Sequence, residues 1–73
     1  MEEFIEHFAE QFDETERSEF SASTEFKELD EWDSMLALTI IAMVDEEYDK
    51  TINGDDIKAA KTIEDLYKIV ENK

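Results

Sequence analysis

Apolar residues are most concentrated at positions 35–44, where nine of ten residues are apolar and only Thr39 is polar. A helix that is hydrophobic nearly all round lies at the centre of a domain or presents part of its surface to a partner. Asp33 and Ser34 directly precede this run, and both residue types cap helix starts well. The pattern therefore predicts a central helix over residues 34–48, with a serine hydroxyl at its positively polarised end.

A first helix is predicted near the start of the chain, because phenylalanines recur there every four residues. We expect it to run from Glu2 to roughly Asp13. A stripe at this spacing is typical of side chains that face a core. Its members are Phe4, Phe8 and Phe12.

A last helix is predicted from Ile63 to about Glu71. Thr62 is followed three residues later by Asp65, which has the form of a capping box in its Asp variant. Apolar and aromatic residues follow at helical spacing. They are Ile63, Leu66, Tyr67 and Val70.

Between these helices, the Asn-Gly pair at residues 53–54 marks a turn. Asp55 or Asp56 is expected to start a short third helix that ends at about Ala60. This helix is expected to bury Ile57.

Residues 14–31 lack a sustained period and are rich in serine and threonine, so they are expected to form a long loop. Such a loop needs apolar anchors to lie against a small domain. The expected anchors are Phe20, Phe26, Leu29 and Trp32.

These elements together predict an all-α fold, a small four-helix bundle with three main helices, one short helix and a long loop between helices 1 and 2. The 73 residues suffice for one domain, residues 1–73. Three apolar stripes are expected to meet in one core. They are Phe4/Phe8/Phe12, Leu38/Ile41/Val44 and Ile63/Leu66/Val70.

Charge restricts the classes of partner. Acidic residues outnumber basic ones 22 to 7, and the formal net charge is -15. Nucleic-acid binding is disfavoured because it needs clustered Lys and Arg, and an anionic membrane surface is disfavoured for the same reason. Basic protein partners are favoured. Mutual repulsion is also expected to raise the pKa values of the carboxyl groups on average.

Residue content limits the chemistry further. The chain has no cysteine, so it has neither disulfides nor thiolate metal sites. No run approaches the roughly 18 apolar residues of a membrane span, and no secretory signal is visible. We therefore expect a cytoplasmic monomer that does not insert into a membrane.

Catalysis by the chain itself is not expected. Ser34 has no candidate base, because the only histidine, His7, falls on the polar side of the first helix. A glycine-rich phosphate loop is ruled out because Gly54 is the only glycine.

Calcium binding has a partial sequence signal. Residues 49–54 match the first half of an EF-hand loop, with candidate ligands at Asp49, Thr51 and Asn53. The twelfth position, which needs a bidentate Glu, is Ala60. We therefore expect no dedicated metal site and only loose divalent binding to the acidic surface.

Several blocks resemble the acyl carrier protein family. The Asp-Ser-Met triplet at 33–35 resembles that family's Asp-Ser-Leu attachment site. Asp-Glu-Glu-Tyr at 45–48 is similar to the acidic run before an aromatic residue in the family. Ile52 and a short acidic helix follow, and Thr-Ile-Glu-Asp-Leu at 62–66 resembles the start of the family's last helix. The resemblance extends over roughly residues 4–70.

The resemblance implies that Ser34 accepts 4′-phosphopantetheine from coenzyme A, and that acyl groups ride as thioesters on the thiol of this arm. Asp33 is implied to help the phosphopantetheinyl transferase engage the site. Acyl-transferring or condensing enzymes are implied to dock through basic patches. The implied partner-binding residues are Met35, Leu36, Asp45, Glu46 and Asp56.

Four residues depart from the family pattern. Glu31 and Trp32 stand where glycine is common before the Asp-Ser pair, and Leu36 and Thr39 occupy positions that are often acidic in fatty-acid carriers. This favours a dedicated carrier for polyketides, polysaccharide modification or aminoacyl groups. The alternatives are an aminoacyl or peptidyl carrier, and a non-covalent acidic helical module that docks a basic helix or responds to divalent ions.

Overall fold

The computed structural model describes all 73 residues, which form four α-helices and no strand. Helix α1 spans Glu2–Ala9, α2 spans Ser34–Tyr48, α3 spans Gly54–Ala59 and α4 spans Ile63–Glu71. Two short 3-10 turns, Arg17–Glu19 and Phe26–Glu28, lie in the long connection between α1 and α2. This confirms the predicted small all-α bundle of three main helices and one short helix.

Helix α2 has the predicted bounds. At its start, the Asp33 Oδ1 atom accepts a hydrogen bond of 2.8 Å from the Leu36 N–H, as an N-cap does. At its end, Asp49 adopts a left-handed backbone with φ of 55°, and its N–H donates to the Asp45 carbonyl. A left-handed residue is a common way to end a helix.

Helix α1 is shorter than predicted, because it ends at Ala9 and not near Asp13. Beyond it, the N–H groups of residues 11 and 12 donate to carbonyls three residues earlier, which is a tighter turn. The next three N–H groups, from Asp13 to Thr15, donate to the Glu31 carboxylate and not to helix carbonyls. Tertiary hydrogen bonds thus override the periodic pattern, although Phe12 still reaches the core.

Helix α3 begins at Gly54 and not at Asp55 or Asp56, so the predicted start was wrong. Asn53 is its N-cap: the Asn53 side chain accepts from the Asp56 N–H at 3.0 Å, and the Asp56 carboxylate accepts from the Asn53 N–H at 3.1 Å. The helix ends at Ala59. The sequence predicts only a turn at this place, and the structure adds a second capping box.

Helix α4 has the predicted capping box. The Thr62 hydroxyl accepts from the Asp65 N–H at 3.1 Å, and the Asp65 carboxylate accepts from the Thr62 N–H at 3.2 Å. The first two N–H groups of α4 also donate to the carbonyls of Ala22 and Thr24 in the long loop. The loop is therefore attached to the start of α4.

Fifteen buried side chains, all apolar, form one core to which all four helices contribute. The phenylalanine stripe of α1 and the apolar stripe of α4 are buried as predicted. In the loop, Phe20 and Phe26 are buried, while Leu29 and Trp32 pack half-buried against the core. These contacts confirm the four predicted loop anchors.

The predicted core stripe of α2 was wrong at Leu38, which is 65% exposed. The buried residues of α2 are Ile40, Met43 and Val44, and Ile41 is half-buried. A helix turns about 100° per residue, so Leu38 points about 120° away from Val44, whereas Ile40 points within about 40° of it. The predicted stripe repeats every three residues, which is fewer than the roughly 3.6 residues of a helical turn, so its members rotate away from the buried side of α2.

Candidate functional site

Ser34 is the first residue of α2 and is exposed. The backbone N–H of Leu36 is bound by the Asp33 carboxylate, but the N–H groups of Ser34 and Met35 donate to no acceptor within the protein. Unpaired N–H groups at a helix start, together with the helix dipole, favour a phosphate there. The Ser34 hydroxyl therefore lies in an environment suited to a phosphate ester.

The segment that leads into Ser34 is held on both sides. The Trp32 ring lies edge-on to Phe26 at 5.1 Å and parallel to Phe12 at 6.3 Å between ring centroids. Immediately before it, the Glu31 carboxylate accepts four hydrogen bonds from residues 13–15. Ser34 thus follows a fixed segment of chain.

An exposed apolar surface follows Ser34 along α2. Met35 is 72% exposed and Leu38 is 65% exposed, and Ala42 continues this side of the helix. Leu36, in contrast, is half-buried against the core. The exposed apolar residues next to Ser34 are therefore Met35 and Leu38.

The other end of α2 is acidic. Asp45 and Glu46 are exposed and make no ion pair, and the last turn of α2 contains no basic residue. Only Glu47 faces a partner side chain, because its carboxylate lies 3.8 Å from the His7 Nε2 atom. Acids at a helix C-terminus oppose the dipole, so helix stability does not account for Asp45 and Glu46.

Ser34 has no histidine nearby. His7 is half-buried at the opposite end of α2, where its ring packs edge-on against Tyr48 at 5.8 Å. The 15 residues of α2 rise about 1.5 Å each, so roughly 20 Å of helix separate His7 from Ser34. His7 therefore lies between α1 and α2. The sequence analysis placed it on the polar side of α1.

The residues that resemble half an EF-hand do not form a cation site. The Asn53 side-chain oxygen accepts from the Asp56 N–H, and Ala60 is buried in the core. No group of three or more His, Cys, Asp or Glu side chains anywhere in the chain is arranged to hold a metal ion.

Comparison with protein families decides the class. The model of the phosphopantetheine attachment site family matches residues 2–70, which is nearly the whole chain. The chain belongs to this family. Neither the curated proteins nor the solved structures that were compared give a match.

The protein is therefore a phosphopantetheine carrier domain, and its cofactor is covalently attached 4′-phosphopantetheine. When attached, this group supplies the thiol that a chain without cysteine lacks. The residues present fit such a group, since the start of α2 offers an exposed hydroxyl and two unpaired N–H groups. Carrier domains interact with modifying and biosynthetic enzymes. None of its helices combines the length and the apolar character that a membrane span requires.

Two acidic residues of the carrier domain have lowered pKa values because they accept hydrogen bonds within the fold. The hydrogen bond from Lys73 and the N–H of Asn53 lower the pKa of Asp56, and the Lys73 Nζ atom lies 3.0 Å from its carboxylate. The N–H groups of Lys61 and Thr62 lower the pKa of Asp65. Both shifts are opposite to the rise expected from repulsion among the acids.

The pKa of Glu31 is lowered as well. Desolvation alone would raise it, but the N–H groups of Asp13, Glu14 and Thr15 and the Thr15 hydroxyl together outweigh that effect. Hydrogen bonds to a carboxylate favour its charged form.

The sequence analysis misses the roles of two residues in this region. Leu38 was assigned to the core, although its helical phase relative to Val44 places it on the exposed side. Glu31 carried no signal, because its partners lie 16 to 18 residues away in the chain.

Proposed function

We propose that this carrier domain is an acyl carrier protein whose phosphopantetheine arm is attached to Ser34. The observation that carries the proposal is the exposed Ser34 hydroxyl at the capped start of α2, beside two unpaired N–H groups. No other serine of the chain begins a helix of this length. The chain is proposed to be a carrier and not an enzyme.

Attachment is a phosphoryl transfer from coenzyme A. The Ser34 oxygen bonds to the phosphorus that bears the pantetheine, the phosphoanhydride bond breaks, and adenosine bisphosphate leaves. The serine proton passes to a base of the transferase, because His7 lies at the far end of α2. We propose that Asp33 both caps α2 and is read by the transferase.

The proposed docking face is the exposed side of α2. It combines an apolar part, Met35 and Leu38, with an acidic part, Asp45 and Glu46. A partner with an apolar pocket beside a basic patch is complementary to it. Leu36 and Asp56 belong to the same proposal with a smaller share, since Leu36 is half-buried and the Asp56 carboxylate is paired with Lys73.

Intact mass tests the attachment. Incubation with coenzyme A and a phosphopantetheinyl transferase should add the mass of one phosphopantetheine group to the wild-type chain and nothing to Ser34→Ala. Ser18→Ala, an exposed serine of the long loop, should be modified like wild type. A wild-type chain that stays unmodified would favour the non-covalent interaction module.

The cargo needs a separate experiment. Protein isolated from its source should carry a thioester that hydroxylamine cleaves, and the mass of the released hydroxamate identifies the cargo. An acyl hydroxamate supports the acyl carrier, whereas an aminoacyl or peptidyl hydroxamate would make the chain a peptidyl-type carrier.

A further inference from the structure

The Glu31 carboxylate accepts hydrogen bonds through both of its oxygen atoms. Its Oε1 atom accepts from the N–H groups of Glu14 and Thr15 at 3.0 and 2.9 Å and from the Thr15 hydroxyl at 2.8 Å. Its Oε2 atom accepts from the Asp13 N–H at 2.9 Å. All four groups donate in this arrangement, and both oxygens act as acceptors. We call this arrangement the Glu31 clasp.

The clasp joins two segments that are distant in sequence. On one side lie residues 13–15, which follow α1, and on the other lies the residue three positions before Ser34. Trp32 and Asp33 continue the attachment, the first by packing on Phe12 and the second by capping α2. Three consecutive residues before Ser34 are thus each fixed by a different interaction.

We infer that Glu31 is a positioning residue for the modification of Ser34, which rests on the proposed function. The clasp holds the segment that enters α2 in one place before a transferase arrives. If the segment is ordered in only a fraction of the carrier molecules, a partner that requires the ordered form binds as if only that fraction were present. Loss of the clasp should therefore raise the KM of the carrier as a substrate more than it lowers kcat.

The test uses Glu31→Gln in the full chain. Glutamine keeps one acceptor oxygen but turns an amide NH2 toward an N–H donor of the clasp. Asp30→Asn is the matched control, because it removes the same charge from the neighbouring exposed residue, which is outside the clasp. If about a tenth of the variant molecules keep the segment ordered, the KM of Glu31→Gln rises about tenfold with kcat little changed. The control keeps the wild-type constants.

Trp32 provides a readout that is independent of modification. It is the only tryptophan and follows Glu31 directly, so its emission should shift to longer wavelength in Glu31→Gln as the ring gains contact with water. Helix content by circular dichroism should stay near the wild-type value. Thr15→Val, which removes only the 2.8 Å hydroxyl bond, should give a smaller shift and a smaller rise in KM, and it serves if Glu31→Gln does not fold.

The outcomes are distinct. A graded rise in KM across Thr15→Val and Glu31→Gln, absent from Asp30→Asn, supports the positioning role. An unchanged KM in Glu31→Gln while wild type is modified normally would overturn that role alone, and so would an equal rise in Asp30→Asn. A wild-type chain that no transferase modifies would overturn the proposed function itself, and this role with it.

Discussion

The two sides of α2 are both apolar, yet the fold uses only one of them. Ile40 and Val44 are fully buried in the core. Met35 and Leu38, on the other side, are mostly exposed and belong to no core contact set. Core and surface positions of this helix therefore carry the same kind of residue. They differ in the direction in which the side chain points around the helix axis.

The acidic residues divide in the same way. Asp56 and Asp65 complete capping boxes at the starts of α3 and α4, whereas Asp45 and Glu46 have no partner and oppose the dipole of α2. The exposed apolar side chains of α2 have a cost in hydration, and the acids at its end have a cost in helix stability. Because the fold makes no use of these side chains, they are available to a partner. This contrast gives a series of tests.

The largest expected effect separates the two sides of α2 directly. Ile40→Ala should destabilise the domain by about 2–5 kcal/mol, the range for emptying a buried aliphatic site, which is a large part of the stability of so small a domain. Leu38→Ala should change stability by less than about 0.5 kcal/mol but weaken transferase binding. Urea unfolding measures the first quantity and modification kinetics the second. A large destabilisation by Leu38→Ala would mean that this side of α2 is also packed.

Sequence reasoning predicted this fold well where local signals were strong. The bounds of α2 and the Thr62 capping box follow from residue type and spacing alone. The end of α1 was misplaced because Glu31, far away in sequence, binds the N–H groups that a longer helix would use. At the site, the position of Ser34 was predictable, but the exposure of Leu38 needed the phase of α2 relative to the core.

Asp33 tests whether one residue serves both the fold and a partner. Asp33→Ala removes the cap on α2 and should cost about 1 kcal/mol, whereas Asp33→Asn should keep nearly full stability, because asparagine caps as well as aspartate. If the transferase reads the charge, both variants are modified slowly. Stability comes from thermal unfolding and the rate from intact mass over time. Normal modification of Asp33→Asn would restrict Asp33 to capping.

The acids at the end of α2 should give effects of opposite sign. Asp45→Lys and Glu46→Lys each place a favourable charge at a helix C-terminus and should stabilise the domain by about 0.3–1 kcal/mol at low salt. The same changes should slow association with the transferase and flatten its salt dependence. Glu71→Lys, which makes the same charge change in the last turn of α4, is the control that should not slow modification. Equal rates for all three variants at low ionic strength would place the docking face elsewhere.

The smallest effect concerns acid pH and the acids that the fold does use. The pKa of Asp65 is lowered by the N–H groups of Lys61 and Thr62, so near its ordinary pKa the folded chain binds fewer protons there than the unfolded chain. Its contribution to stability is therefore complete above about pH 4 and is lost as the pH falls through the lowered folded pKa.

Repulsion within a chain of net charge -15 acts in the opposite sense, since it weakens as acids are protonated. A difference between two chains removes this shared term. Asp65→Asn keeps an acceptor oxygen for the cap but cannot titrate, so its thermal midpoint should fall less steeply than that of wild type below about pH 4. If the two curves were parallel, the capping box of α4 would contribute nothing through its charge, and the division between used and unused acids would hold for geometry only.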